Sequence, residues 1–167
     1  MIDTIIEEFS GTFTAVPFTI SVTRLVAAIL LGALIGFERE RREKPAGLRT
    51  HILVSLAACL FVVVGIELTK LDFIDGNSTQ YDPLRLIEAV TAGVAFLAAG
   101  IIFTSQGKVK NITTGASLWL AGAVGLACGS GQIPLAALTA LLVVVVLVLI
   151  RQFEKTLGTH DDAAGSD

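Results

Sequence analysis

Between Gly36 and His51 the chain packs eight charged side chains, Glu38 to Lys44 and Arg49, between two long apolar runs. No other segment of the sequence comes near that density. A stretch this polar joining two apolar helices belongs in water or at a headgroup surface. It therefore fixes the membrane side on which each neighbouring run ends. The runs themselves set the class. The composition is 53% hydrophobic with 16% charged residues, and the mean hydropathy is +0.77, whereas a typical soluble domain is about 25% charged. Sixteen glycines match the glycine enrichment of membrane helices. A soluble fold would need a core larger than 167 residues can bury. The chain reads as a single integral membrane domain.

The expected fold is all-α and polytopic, with five transmembrane helices. The candidate spans are Ile20 to Phe37, with Arg24 as its only charge, Ile52 to Leu68, with Glu67 near its end, and Leu86 to Phe103, with Glu88 near its start. Gly115 to Gly129 and Ile133 to Ile150 follow. A span takes about 17–25 residues, so the fourth needs Thr113, Thr114 and Ser130 at the interface. Residues 1–19 mix acids, phenylalanines and Pro17, which suits an interfacial segment. They lack the positive start of a cleavable signal peptide. Residues 20–150 form the five-helix domain, and residues 151–167 a short cytoplasmic tail, polar and partly disordered.

Orientation follows from the basic residues. Arg39, Arg41, Arg42, Lys44 and Arg49 lie in the first connection, Lys108 and Lys110 in the third, and Arg151 and Lys155 in the tail. That bias places the N-terminus outside and the C-terminus in the cytoplasm. The connection holding Asp72, Asp75 and Asp82 is then external and acidic.

Small residues recur where helices could touch. Ala28, Gly32 and Gly36 follow Arg24 at steps of four; Ala92, Ala95 and Ala99 share a stripe with Glu88; Ala121, Gly125 and Gly129 repeat the pattern. Gly93 and Gly100 belong to the same packing set. Such stripes serve either packing within one protomer or a homodimer face, and both readings stay open. Leu141 to Ile150 has no stripe and is expected to face lipid. Arg24, Glu67, Arg85 and Glu88 cluster at the external ends of the first three spans, below the headgroups, where unpaired charge is costly. Arg24 is expected to pair with Glu88 where the first and third spans pack, with Glu67 as the competing partner. The alternative is that each charge snorkels to water. Cys59 and Cys128 sit inside apolar runs without a C-x-x-C spacing, and read as small buried side chains.

Lys44-Pro45-Ala46-Gly47-Leu48-Arg49-Thr50-His51 carries more information. Pro45 and Gly47 force a break, and Thr50 is positioned to cap the helix that follows. Arg49 and His51 then lie beside its first turn, where unpaired N–H groups favour anions. The stretch is either an anion or lipid-headgroup site or a topology signal that needs only positive charge. His51 and His160 are isolated from each other and from any nucleophile set, and no Gly-x-x-x-x-Gly-Lys loop is present. No catalytic residues, cofactor, metal or nucleic-acid partner is expected, and the chain does not read as an enzyme.

Several blocks together carry a resemblance. Arg24-Leu25, Gly32-Ala-Leu-Ile-Gly36-Phe-Glu38-Arg39-Glu40 and Lys44 to His51 come first. Asp82-Pro83-x-Arg85, Gly93-x-x-Phe96-Leu97-x-Ala99-Gly100 and Thr113-Thr114-x-Ala116-Ser117-Leu118-Trp119 follow in order. Over residues 20–150 the chain resembles the MgtC/SapB family of bacterial membrane proteins. It departs from the pattern at Ala95 and Ala98, where glycines are usual, at Asn111-Ile112, where Gly-Leu is usual, and at Gly115, where alanine is. The resemblance implies a multi-pass protein of the bacterial inner (cytoplasmic) membrane, tied to low-magnesium adaptation and survival inside host cells. In the best-known branch it also implies restraint of the proton-driven ATP synthase through membrane contact. Members of that branch often carry a C-terminal ACT-like domain. With only residues 151–167 after the last span, regulation seated in such a domain is expected to be absent here or supplied by another chain.

Two function classes result. The first is a non-enzymatic membrane regulator working through helix contacts and a functional hinge of Glu38, Arg39, Glu40, Lys44, Pro45, Gly47, Arg49, Thr50 and His51. Its partners would be the bilayer and another membrane protein, ATP synthase by resemblance, or a second copy of itself. The second is a small cation (Mg2+) or proton transporter, because intramembrane ionisable residues often mark ion pathways. Against it, the sequence puts no ionisable residue at mid-membrane in any span.

Overall fold

The computed structural model describes residue 2 and residues 13–69, 82–105 and 108–156. Asp72, Asp75 and His160 lie outside the described residues, as do most of the interfacial segment and the end of the tail. The elements are α1 (Phe18–Glu40), α2 (Leu48–Leu68), α3 (Pro83–Ile101), β1 (Phe103–Ser105), β2 (Lys108–Lys110), α4 (Ile112–Gly129) and α5 (Ile133–Thr156). All five helices are long and apolar enough to cross a membrane, so the all-α, five-span fold holds.

The helix ends differ from those expected, for local reasons. α1 continues past Phe37 to Glu40, because Glu38, Arg39 and Glu40 are good helix formers and Arg39 suits the last turn. It stops before a left-handed Glu43 (φ 52°) and Pro45, which cannot continue a helix. α2 begins at Leu48 behind Gly47, which places Thr50 inside the helix. Thr50 therefore does not cap it. The free N–H of Leu48 donates instead to Glu40 Oε2 at 2.9 Å, a carboxylate lent by the preceding helix to the positive end of the next.

At α3, Asp82 accepts from Leu84 N at 3.0 Å and Pro83 takes the first helical position. The third span ends at Ile101, two residues short of Phe103, because residues 103–105 turn into an antiparallel hairpin pairing Phe103 with Lys110. Asn111, left-handed at φ 64°, closes it by donating Nδ2 to Ile101 O at 3.2 Å. α4 then starts at Ile112 and gains the length the fourth span needed.

α2 and α4 form the centre of the bundle. α1 packs on α2, α4 and α5, while α3 leans on α4 and barely touches α2. The first and third spans are therefore not packing partners. Small residues permit the central crossings. A methyl carbon at Gly32 would lie 2.9 Å from His51 O, and one at Gly129 would lie 2.7 Å from Cys59 O and from Val62 Cβ. Gly115 and Gly122 play the same part towards α3, against Ile102 and Val94. Gly93 and Gly100 differ: no atom of the described residues lies within 4 Å of a carbon added at either. On α5, Ala136 and Ala140 turn inward while Leu141, Leu142, Val145, Val146 and Leu149 are exposed, as a lipid-facing span requires. Cys59 and Cys128 are free thiols buried in the core beside Ala28 and Val124.

Candidate functional site

The last turn of α1 and the first turns of α2 and α4 converge at one end of the bundle. The charged stretch does not all lie in water there. Glu38 and Arg39 are buried, at 8% and 5% exposure. Arg39 Nε and Nη2 each donate to Glu38 Oε2 at 2.6 Å, and Arg42 Nε donates to Oε1 at 2.9 Å. One carboxylate thus holds two guanidinium groups. Arg42 Nη1, shielded from solvent, has no hydrogen-bond partner among the described residues. Arg41, Glu43, Lys44, Pro45 and Arg49 are exposed. Arg49 lies in the first turn of α2, as expected, but points away from the buried cluster.

Gly47 leaves room for the cap of α2. A carbon added there would collide with the Glu40 carboxylate, the group that caps α2. Gly36 has a parallel role, since a carbon there would sit 2.8 Å from Leu48 Cα. Together they let α1 and α2 close to backbone contact just below the connection.

His51 is fully buried and joins α2 to α4. Its Nδ1 lies 2.8 Å from Gly47 O, and its Nε2 lies 3.0 Å from Ser117 Oγ. Ser117 Oγ is also 2.9 Å from Thr114 O, and Thr114 Oγ1 is buried without a hydrogen-bond partner among the described residues. Thr114 and Ser117 were not among the hinge residues expected from sequence. The signal was there: two hydroxyls three residues apart share one face of an apolar span that runs parallel to the one starting near His51.

At the opposite end, Arg24, Glu67, Arg85 and Glu88 do not form one cluster. Glu67 clasps the chain before α1: Oε2 accepts from Thr14 N, Thr14 Oγ1 and Ala15 N at 3.1 Å each, and Oε1 from Val16 N at 2.8 Å. Arg24 does not pair with Glu88. Its Nη1 donates at 2.7 Å to Gly129 O, one of the carbonyls that the end of α4 leaves without a helical partner. Arg85 and Glu88 are exposed. Arg24→Leu should therefore cost about 1.5–3 kcal/mol, the range for a hydrogen bond to a charged group. Glu88→Gln should stay within about 0.5 kcal/mol. Thermal unfolding in detergent checks both; a comparable loss in the two variants would restore the Arg24–Glu88 pair.

The family model for the MgtC family matches residues 25–156. The chain belongs to the MgtC family. Protein MgtC of Brucella abortus is 38% identical over 141 residues, which cover 84% of this chain and 56% of that protein. Protein MgtC of Salmonella typhimurium is 33% identical over 131 residues, covering 78% and 52%. An uncharacterised protein of Synechocystis is 38% identical over 131 residues, with the same coverage. The chain thus spans about half the length of the curated relatives it matches. No solved structure matches it. The MgtC match runs from α1 to the end of α5, so the Glu38–His51–Ser117 junction lies wholly inside the family's domain.

Proposed function

We propose that this MgtC-type membrane protein is a non-enzymatic regulator of the bacterial inner membrane, acting by contact with another membrane protein. The observation that carries the reading is where its polarity sits. Ionisable side chains of the described spans gather at the two bundle ends, and the middle is closed by glycine, alanine and serine at helix crossings. A serine hydroxyl there, Ser55 Oγ, donates to Ala28 O at 2.9 Å and is buried. A conduction path needs groups that replace ion hydration through that depth.

Contact also has a surface available. The outward face of α3 carries Ala89, Ala92, Ala95, Ala99 and Gly100, all exposed. The lipid-facing side of α5 is built from leucine and valine instead. An open apolar groove of about 520 Å³ runs between α2 and α3. By family resemblance the role is in low-magnesium adaptation and control of membrane energetics, with ATP synthase as the partner; the bias of basic residues supports an N-terminus outside and a C-terminus in the cytoplasm.

Two measurements test this. Purified protein in liposomes should move neither magnesium nor protons faster than protein-free vesicles; flux above that baseline would make the chain a transporter. In intact cells, an impermeant maleimide should label cysteine at Asp82 and spare cysteine at Lys44. The reverse pattern would invert the orientation and put the buried charge junction outside.

A further inference from the structure

We infer that His51 is a buried proton-binding site whose occupancy is registered by the Ser117 hydroxyl. Gly47 O can only accept a hydrogen bond, so the nitrogen 2.8 Å from it, Nδ1, carries hydrogen in every state. The second nitrogen is free to change. Ser117 has one hydroxyl hydrogen and two places to put it: His51 Nε2 at 3.0 Å and Thr114 O at 2.9 Å. With His51 neutral, Ser117 donates to the Nε2 lone pair. When a proton from water binds Nε2, the new N–H donates to Ser117 Oγ, and the hydroxyl hydrogen turns to Thr114 O.

Only hydrogen bonds are exchanged, and the proton remains on Nε2. In both states every polar atom of the imidazole and of Ser117 has a partner. The hydrogen-bonding part of the penalty on charging a buried histidine, an unpaired donor or acceptor, is therefore avoided, while the cost of desolvating the charge remains. A purely structural histidine in this place would need only one of the two arrangements.

The charged surroundings are defined on each packed element. From α1, Glu38 and Arg39 are the charges that act on His51, and Arg42 holds the other Glu38 oxygen. α2 itself adds Arg49, which is exposed. α4 itself has no acid or base, but Lys108 and Lys110 of β2 directly precede it. α5 runs from the opposite end back to this one and carries Arg151, Glu154 and Lys155 in its last turns; Arg85 and Glu88 of α3 sit at the opposite end. A protonated His51 thus adds a third cation around one buried carboxylate. The proton would be felt in α1, through competition for Glu38, as well as in α4.

The test reads the protein alone, apart from any partner or flux. Histidine labelled with 15N in the ring is incorporated into the full chain carrying His160→Gln, in lipid nanodiscs, and followed by NMR. At alkaline pH His51 should be the single Nδ1–H tautomer. Acidification towards about pH 4 should convert it reversibly to imidazolium with unchanged helix content. Ser117→Ala removes the acceptor of a charged N–H, a larger loss than that of a neutral donor, so proton affinity should fall about tenfold. Ser117→Thr should restore it. An Nε2–H tautomer, or ring signals that do not change between about pH 8 and pH 4, would overturn the inference on the unaltered site even if the Ser117 variants failed to fold. Normal titration in a folded Ser117→Ala would overturn it as well.

Discussion

Gly125→Ala should be among the most destabilising single-carbon additions in this protein, with a loss of about 3 kcal/mol at the upper end of overpacking costs. The added carbon would overlap the Ser55 carbonyl oxygen and lie 2.7 Å from Ser55 C and 2.8 Å from Ser55 Cα. The obstacle is helix backbone, which cannot rotate away as a side chain would. α2 and α4 would have to separate, and Ser55 would carry its bond to Ala28 O with it. Loss at this one crossing thus reaches α1, because α1 packs on both central helices. Gly93→Ala supplies the control. The same chemical change on α3 meets nothing within 4 Å among the described residues, and the gain in helix propensity is worth up to about 1 kcal/mol. Thermal unfolding in one detergent should separate the variants widely; equal stabilities would mean that α2 and α4 do not cross at Gly125.

That contrast also marks how far the sequence could be read. Gly125 and Gly129, four apart, and Gly93 and Gly100, seven apart, each share one helix face, and spacing alone does not say which face finds a neighbour. The spans were legible because hydropathy reports solvent preference over a long window. Their ends were less so: some are set by local breaks such as Glu43 and Pro45, and others by a hydrogen bond that reaches across a connection, from Leu48 N to Glu40 Oε2 and from Asn111 Nδ2 to Ile101 O. Arg24 shows the same limit. Matching charges by depth suggested Glu88, but the partner is a main-chain carbonyl, which no residue type announces. The charged connection, expected in water or at a headgroup surface, instead begins with two buried side chains. Alternating acids and bases look like a solvated run, yet Glu38, Arg39 and Arg42 neutralise one another well enough for two of them to be buried.

Burial is what makes Glu38 the second critical position. Glu38→Ala would leave the Arg39 guanidinium, 6% exposed at its side chain, without the carboxylate that takes both its Nε and Nη2 hydrogens. It would also strip Arg42 of its one hydrogen-bonded anion among the described residues, when Arg42 Nη1 already lacks a partner. Removing one side of a buried ion pair costs about 3–5 kcal/mol, mostly as the penalty of the stranded charge. Glu38→Gln keeps the shape and one acceptor oxygen but loses the charge, so its cost should be smaller though still well above that of Glu43→Gln on the exposed turn. Glu38→Leu combined with Arg39→Leu should recover the part of the loss that comes from stranding Arg39, while Arg42 still lacks the Glu38 carboxylate. Additivity of the two leucine substitutions in unfolding measurements would show that Glu38 and Arg39 do not depend on each other. Stability near that of the unsubstituted protein for Glu38→Ala would mean that Arg39 and Arg42 reach water when the carboxylate is gone. The end of α1 would then be as solvated as its charge density first suggested.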